Sequence, residues 1–267
     1  MHTKEVLRYR EALKFGFDAL KDRLTTNLFA GMVRIIKQRD IGVLRTTGTA
    51  LKDAAGEVVY TPPVGEALLR DKLGNLEQFI HTNDGLDPLV KMAVIHYQFE
   101  AIHPFDDGNG RTGRILNLLY LVQAGLLDIP VLFLSRYIMA NKADYYAGLR
   151  GVTEQQAWEP WVLYMLRGVT STAQQTFDQV TRIRTLMEEV RARVQRDAQS
   201  IYSKDLIEVI FRHPYTKIQF LVDAGLAKRQ TASSYLQTLA NLGVLSPRKI
   251  GREMYYINDA LFAELVR

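Results

Sequence analysis

The chain has 267 residues, 47% of them hydrophobic and 24% charged, with a formal net charge of +5. That balance excludes a fibrous or low-complexity chain and leaves room for one large domain or two smaller ones. With no cysteine there is neither a disulfide framework nor a thiolate metal site, and a pI near 9.3 permits contact with nucleotides or nucleic acid without requiring it. The first twenty residues are charged throughout, and no run approaches about eighteen apolar residues. Neither a signal peptide nor a membrane span is expected, and the chain reads as cytoplasmic.

The recurrence of Val6, Tyr9, Ala12, Phe15 and Leu20 predicts a helix over 5–24, with a second over 28–36. Residues 41–63 differ in texture: β-branched residues cluster at both ends, and residues 53–56 supply a turn between them. This predicts a β-hairpin of Val43–Thr49 and Glu57–Thr61, stopped by Pro62 and Pro63. In an otherwise helical chain the free edge of such a hairpin can accept another strand. A helix follows over 65–82. The next, over 88–102, carries Leu89, Ala93, Tyr97 and Ala101 on one face, and a later helix carries Ile115, Leu118, Leu119 and Val122.

Between those last two helices stands HPFDDGNGRTGR, residues 103–114. Pro104 disfavours helical geometry at His103 and so ends the first helix there. Gly108 and Gly110 let the backbone turn, so the amides from Gly108 to Arg111 cap the second helix. Helix N-terminal amides with Arg111 and Arg114 nearby make an anion site suited to polyphosphate. Asp107 is a hard oxygen ligand of the kind that magnesium bound to phosphates takes. Asn109 can hydrogen-bond a phosphate oxygen without adding charge, and His103 can take a proton near neutral pH. Base, metal ligand and phosphate cradle within twelve residues suit phosphoryl or nucleotidyl transfer. A rival reading places His96, Glu100 and His103, spaced i, i+4, i+7, around a zinc ion. The break at Pro104 and the lack of a fourth ligand of recognisable spacing count against it. His96 and Glu100 then read as polar residues near the core, with Glu100 orienting the loop.

The stretch resembles the signature of the Fic family, H-x-F-x-[DE]-G-N-G-R-x-x-R, at every fixed position: His103, Phe105, Asp107, Gly108, Asn109, Gly110, Arg111 and Arg114. The resemblance implies a helical catalytic domain that transfers AMP from ATP to a Ser, Thr or Tyr hydroxyl of a target protein. His103 would be the base, Asp107 the Mg²⁺ ligand, and Gly108, Asn109, Gly110, Arg111 and Arg114 the nucleotide site. It also implies that the hairpin holds the target, through Thr46, Thr47 and Gly48, although Val43-Leu44-Arg45 departs from the family's G-x-[FY]-R pattern. Tyr145 and Tyr146 are implied beside the adenine; by composition alone they read as packing residues. Self-modification and self-association are further implications. Phosphorylating relatives alter the GNGR segment, which is intact here, while removal of AMP or transfer of another group stays open. The family's inhibitory pattern [ST]-x-x-x-E-[GN] has no match in the sequence. Either the chain is shortened at its N-terminus or inhibition comes from elsewhere, and an uninhibited form is expected.

The catalytic domain is expected over 1–175. A solvated linking helix over 176–200 follows, with five arginines beside Glu188 and Glu189. Over 201–267 the sequence predicts a helix marked by Leu206, Val209 and Ile210, then a helix within HPYTKIQFLVDAG capped by Thr216 and stopped near Gly225. A helix over 228–242 and a hairpin complete the unit. Three short helices and a hairpin resemble a winged helix-turn-helix, with Lys228, Arg229, Gln230 and Ser233 on the would-be recognition helix and Arg248, Lys249 and Arg252 in the wing. Nine Lys/Arg against six Asp/Glu in this unit is a weak excess for a DNA binder. The overall expectation is a mainly α protein with a small β-hairpin flap and this C-terminal unit.

Overall fold

The computed structural model describes residues 2–20, 23–43, 51–52 and 58–267. Helices dominate: twelve α-helices and five short strands lie among the described residues. Contacts divide the chain into two compact units, 1–174 and 175–267.

The first unit contains α1 (His2–Asp18), α2 (Thr26–Lys37), strands β1 (Leu51–Lys52) and β2 (Val58–Tyr60), and α3 (Glu66–His81). It continues with α4 (Pro88–Ile102), α5 (Asn109–Gln123), α6 (Ser135–Ala140), α7 (Lys142–Gln155) and the start of α8 (Trp158–Asp197). Capping fixes several starts. The Thr25 side chain accepts from Leu28 N, and the Asp87 carboxylate accepts from Leu89 N and Val90 N, with Pro88 at the first helical position. The centre is α4 against α5, where Met92, Ile95, Phe99, Ile115 and Leu119 are fully buried. Removing each such side chain from water is worth roughly 2–3 kcal/mol. Trp161, also fully buried, donates its indole N–H to Ala93 O at 2.8 Å.

Three expectations are corrected. Val6 and Phe15 are exposed; Ala12 of the expected stripe is buried, and Leu13 and Gly16 join it on the inner side of α1. The stripe expected on α4 is only partly buried apart from Ala93, because this central helix is covered on nearly every side. Val43 lies in a buried bend rather than a strand, while the rest of the expected first strand, 44–49, lies outside the described residues; the described pairing runs Leu51–Lys52 against Val58–Tyr60. Thr46, Thr47 and Gly48 lie outside the described residues.

In the second unit, α8 is one 40-residue helix rather than a separate linker, and its later part belongs here. A 3₁₀ turn, α9 (Lys204–Arg212), β3 (Tyr215–Thr216), α10 (Ile218–Asp223), α11 (Arg229–Asn241), β4 (Ser246–Ile250), β5 (Glu253–Ile257) and α12 (Asp259–Val266) follow. The sheet is antiparallel in the order β3-β5-β4. Thr216 is not a cap: it is a buried strand residue opposite Tyr256, and α10 starts only after Lys217. Leu206, Ile210, Leu221, Leu236 and Leu239 form this unit's core. Among the described residues no helix is long and apolar enough to cross a membrane.

Candidate active site

His103 closes α4 in the left-handed conformation, φ 49° and ψ 55°, with its amide donating to Phe99 O at 3.0 Å. A non-glycine residue there is strained by roughly 1–2 kcal/mol and persists only where its neighbours enforce it. Two neighbours do. Phe105 is fully buried beside Phe99, with ring centroids 6.4 Å apart. Asn109, 2% exposed, then clasps the loop: its side-chain oxygen accepts from Phe105 N at 3.0 Å, and its amide donates to Phe105 O at 2.6 Å. The Asn109 side chain is thus turned to the loop's own backbone, which corrects its assignment as a phosphate hydrogen-bonder. Only its backbone amide, at the start of α5, is left for that purpose.

Gly108 makes the turn into α5 at φ 94°, and a Cβ there would sit 2.8 Å from the Val33 side chain. Glycine is required on both counts. The helix that follows presents its first amides without a side-chain cap, the arrangement that attracts anions.

A cleft of about 250 Å³ opens at this helix start. His103, Gly110, Arg114, Tyr145 and Tyr146 all line it, so five residues singled out from the sequence share one space. Tyr60, Tyr97, Glu100, Ala101, Leu149, Arg150, Thr153 and Glu154 complete its wall. Tyr145 is buried, its hydroxyl 3.0 Å from His96 Nε2, while Tyr146 is 46% exposed with Lys142 over its ring. Tyr60 on β2 donates to Ala101 O at 2.8 Å, fastening the strand to the last turn of α4.

Asp107 and Arg111 are not among the residues lining the cleft. Asp107 pairs with Lys37 and, at 3.2 Å, with Arg111, which also pairs with Glu5. Partial burial alone would raise the Asp107 carboxyl, but the Lys37 hydrogen bond and the charges of Lys37 and Arg111 outweigh it and hold it below its ordinary value. Asp107 is therefore an anion at neutral pH. Lys37 lies 70 residues from Asp107, so no local spacing in the sequence announces the pair.

Beneath the cleft, burial pushes the Glu100 carboxyl up to about 7 against the opposing charge of Arg114. Burial, reinforced by the same charge, pushes His96 down to about 3. His96 stacks on Trp161 with centroids 6.0 Å apart. Among the described residues no group of three or more His, Asp or Glu side chains could hold a metal ion, which leaves the zinc reading without a site.

Residues 19–121 match the model of the Fic/DOC family, and that span contains the whole loop and the helices that hold it. The chain carries a Fic domain. Residues 186–261 match a second model, described as the C-terminal domain of SoFic-like protein adenylyltransferases. A probable protein adenylyltransferase of Aquifex aeolicus is 47% identical over 81 residues, covering 30% of this chain and 25% of that protein. Protein adenylyltransferase fic-1 of Caenorhabditis briggsae is 27% identical over 177 residues, covering 61% of this chain and 33% of the relative. The chain therefore spans about a third or less of the length of these relatives. A Fic family protein from Desulfovibrio desulfuricans aligns over 91% of this chain and 72% of its own, with a TM-score of 0.50 at 19% identity, a likeness of fold. The Fic/DOC match ends before Tyr145 and Tyr146, which α7 brings to the cleft.

Proposed function

We propose that this chain transfers AMP from ATP to a hydroxyl side chain of a target protein. The observation that carries the reading is that His103, Gly110 and Arg114 line one cleft, which supports a base acting there beside phosphate-binding groups. Two relatives bearing the name protein adenylyltransferase support it.

His103 accepts the proton of the target hydroxyl as that oxygen forms its bond to the α-phosphorus. The bond from the α-phosphorus to the bridging oxygen breaks, and pyrophosphate leaves with the electron pair. The amides of Asn109, Gly110 and Arg111, with the guanidinium groups of Arg111 and Arg114, stabilise the charge that develops on the phosphates. Tyr145, Tyr146 and Leu149 supply apolar wall for the base. Asp107 would hold Mg²⁺. Its fit is that of an ionised, exposed carboxylate with no protein ligand cage around it among the described residues, as suits an ion that completes its shell with phosphates and water. Bound there, the ion would draw negative charge off the phosphate oxygens.

Target binding is assigned to Thr46, Thr47 and Gly48 by the family resemblance, and self-modification in the cytoplasm belongs to the same reading. Binding of DNA through Lys228, Arg229 and the wing is a separate activity that would not need His103 and would weaken steeply with salt.

The test is label transfer from ATP labelled at the α- or γ-phosphate, with the protein alone and with lysate. Label from the α position only is expected, falling at least a hundredfold in His103→Ala, the order of a lost general base. ATP binding by the variant should remain. Label from γ only would make the chain a kinase and overturn the reading, and loss of binding together with transfer would remove His103 from the role of base.

A further inference from the structure

Glu100 stands one turn before His103 on α4, 9% exposed, and it lines the cleft. Its Oε1 has no hydrogen-bond partner, and neither has the buried Nε of Arg114. The two side chains converge under the first turn of α5. A Cβ on Gly110 would sit 3.3 Å from Arg114 Nη1 and 3.9 Å from Glu100 Oε1, and a Cβ on Gly113 would sit 2.6 Å from Glu100 Oε1. No side chain other than hydrogen fits at residue 113 while that carboxyl stays where it is. Around it stand His96 on the same helix, His103 at its end, Arg114 on α5 and Tyr145 on α7. Of these only Arg114 is a permanent cation.

A buried carboxyl without a hydrogen-bonded partner destabilises a fold, and a glutamine or methionine of similar volume would pack there at less cost. Such a group against a cleft points to use rather than to packing. We propose that Glu100 is a positioning residue: by its charge, from beneath α5, it sets the Arg114 guanidinium for a phosphate group in the cleft, and Gly113 is the clearance that admits it. Through-space attraction without a direct hydrogen bond leaves the guanidinium edges free for the ligand. This deepens the function proposed above, since it rests on a nucleotide phosphate reaching Arg114.

The experiment is a double-mutant cycle of Glu100→Gln and Arg114→Ala, read by calorimetric binding of Mg-ATP and by KM and kcat for α-label transfer. Read at pH 8.5, where the carboxyl is ionised, Glu100→Gln keeps the shape and removes the charge. It should weaken ATP binding and raise KM roughly tenfold, as expected for a misplaced binding group, with kcat changed far less. In the Arg114→Ala background the same substitution should have no further effect. Gly113→Ala keeps the carboxyl in the chain but forces it from under α5, and should weaken ATP binding as Glu100→Gln does. Wild-type affinity and KM in Glu100→Gln would overturn the proposal. So would an equal loss with and without Arg114, the mark of a merely structural role. A wild-type protein that binds ATP but transfers no label overturns the proposed function instead, and the binding arm of the cycle still decides the role of Glu100.

Discussion

Burial acts on Glu100 and His96 in opposite senses, because one is charged when deprotonated and the other when protonated. The Glu100 carboxyl rises to about 7, so between its ordinary value near 4.5 and about 7 the folded chain binds more protons than the unfolded one. Its contribution is therefore fully present below the lower value and is lost as pH rises through that window. His96 falls from 6.5 to about 3, so its contribution is present above 6.5 and lost as pH falls toward 3. Glu100→Gln removes the first effect alone. Relative to the parent protein, its melting temperature should climb as pH goes from 5 to 7.5, with a gain on the order of 1–3 kcal/mol at the upper end. A difference between the two melting temperatures that does not vary with pH would show that the carboxyl is not held in this state. A gain in stability combined with weaker ATP binding would be the signature of a residue kept for function. Asn109→Ala should act the other way. It strips two hydrogen bonds from the buried Phe105 backbone, each worth about 1–3 kcal/mol when its partner is left unsatisfied. Faster amide exchange over residues 103–110 and weaker ATP binding would both report it.

At the scale of elements, the loop between α4 and α5 is set by packing on both sides. Gly108 combines a positive φ with a 2.8 Å approach to Val33 on α2, so Gly108→Ala should destabilise the first unit by roughly 2 kcal/mol or more and lower its melting temperature by several degrees. An unchanged melt would mean that α2 yields easily at this point. The same scale explains the misread elements. A helix covered on nearly every side, as α4 is, has no single stripe for periodicity to find. Residues 215–216 form a strand because they pair with 256–257, some forty positions away, which local propensity cannot register. Gly225, by contrast, marks a stop that sequence reading finds, because its φ of 71° is a local demand.

In the whole molecule, two separate cores hold the two units, and no cleft-lining residue belongs to the second core. Leu236→Ala, in that second core, should cost about 2–5 kcal/mol in its own unit. Amide exchange should quicken within 204–257 while Mg-ATP affinity stays as in the parent protein; a matching loss of affinity would contradict this separation. The sequence by itself determined the mainly helical class, the end of α4 and the start of α5, and which residue types stand together over 103–114. Those rest on local rules: proline and glycine geometry, apolar period, and the ordering of a histidine, a carboxylate and two arginines along one turn. Only the tertiary structure decided that Asn109 clasps the loop instead of facing the cleft, and that Lys37 and Glu5 engage the charges of Asp107 and Arg111. It also decided that Gly113 is small because Glu100 lies against it. Each is a meeting of side chains from different turns or helices, governed by packing and Coulomb interaction across space, and spacing along the chain carries no record of it.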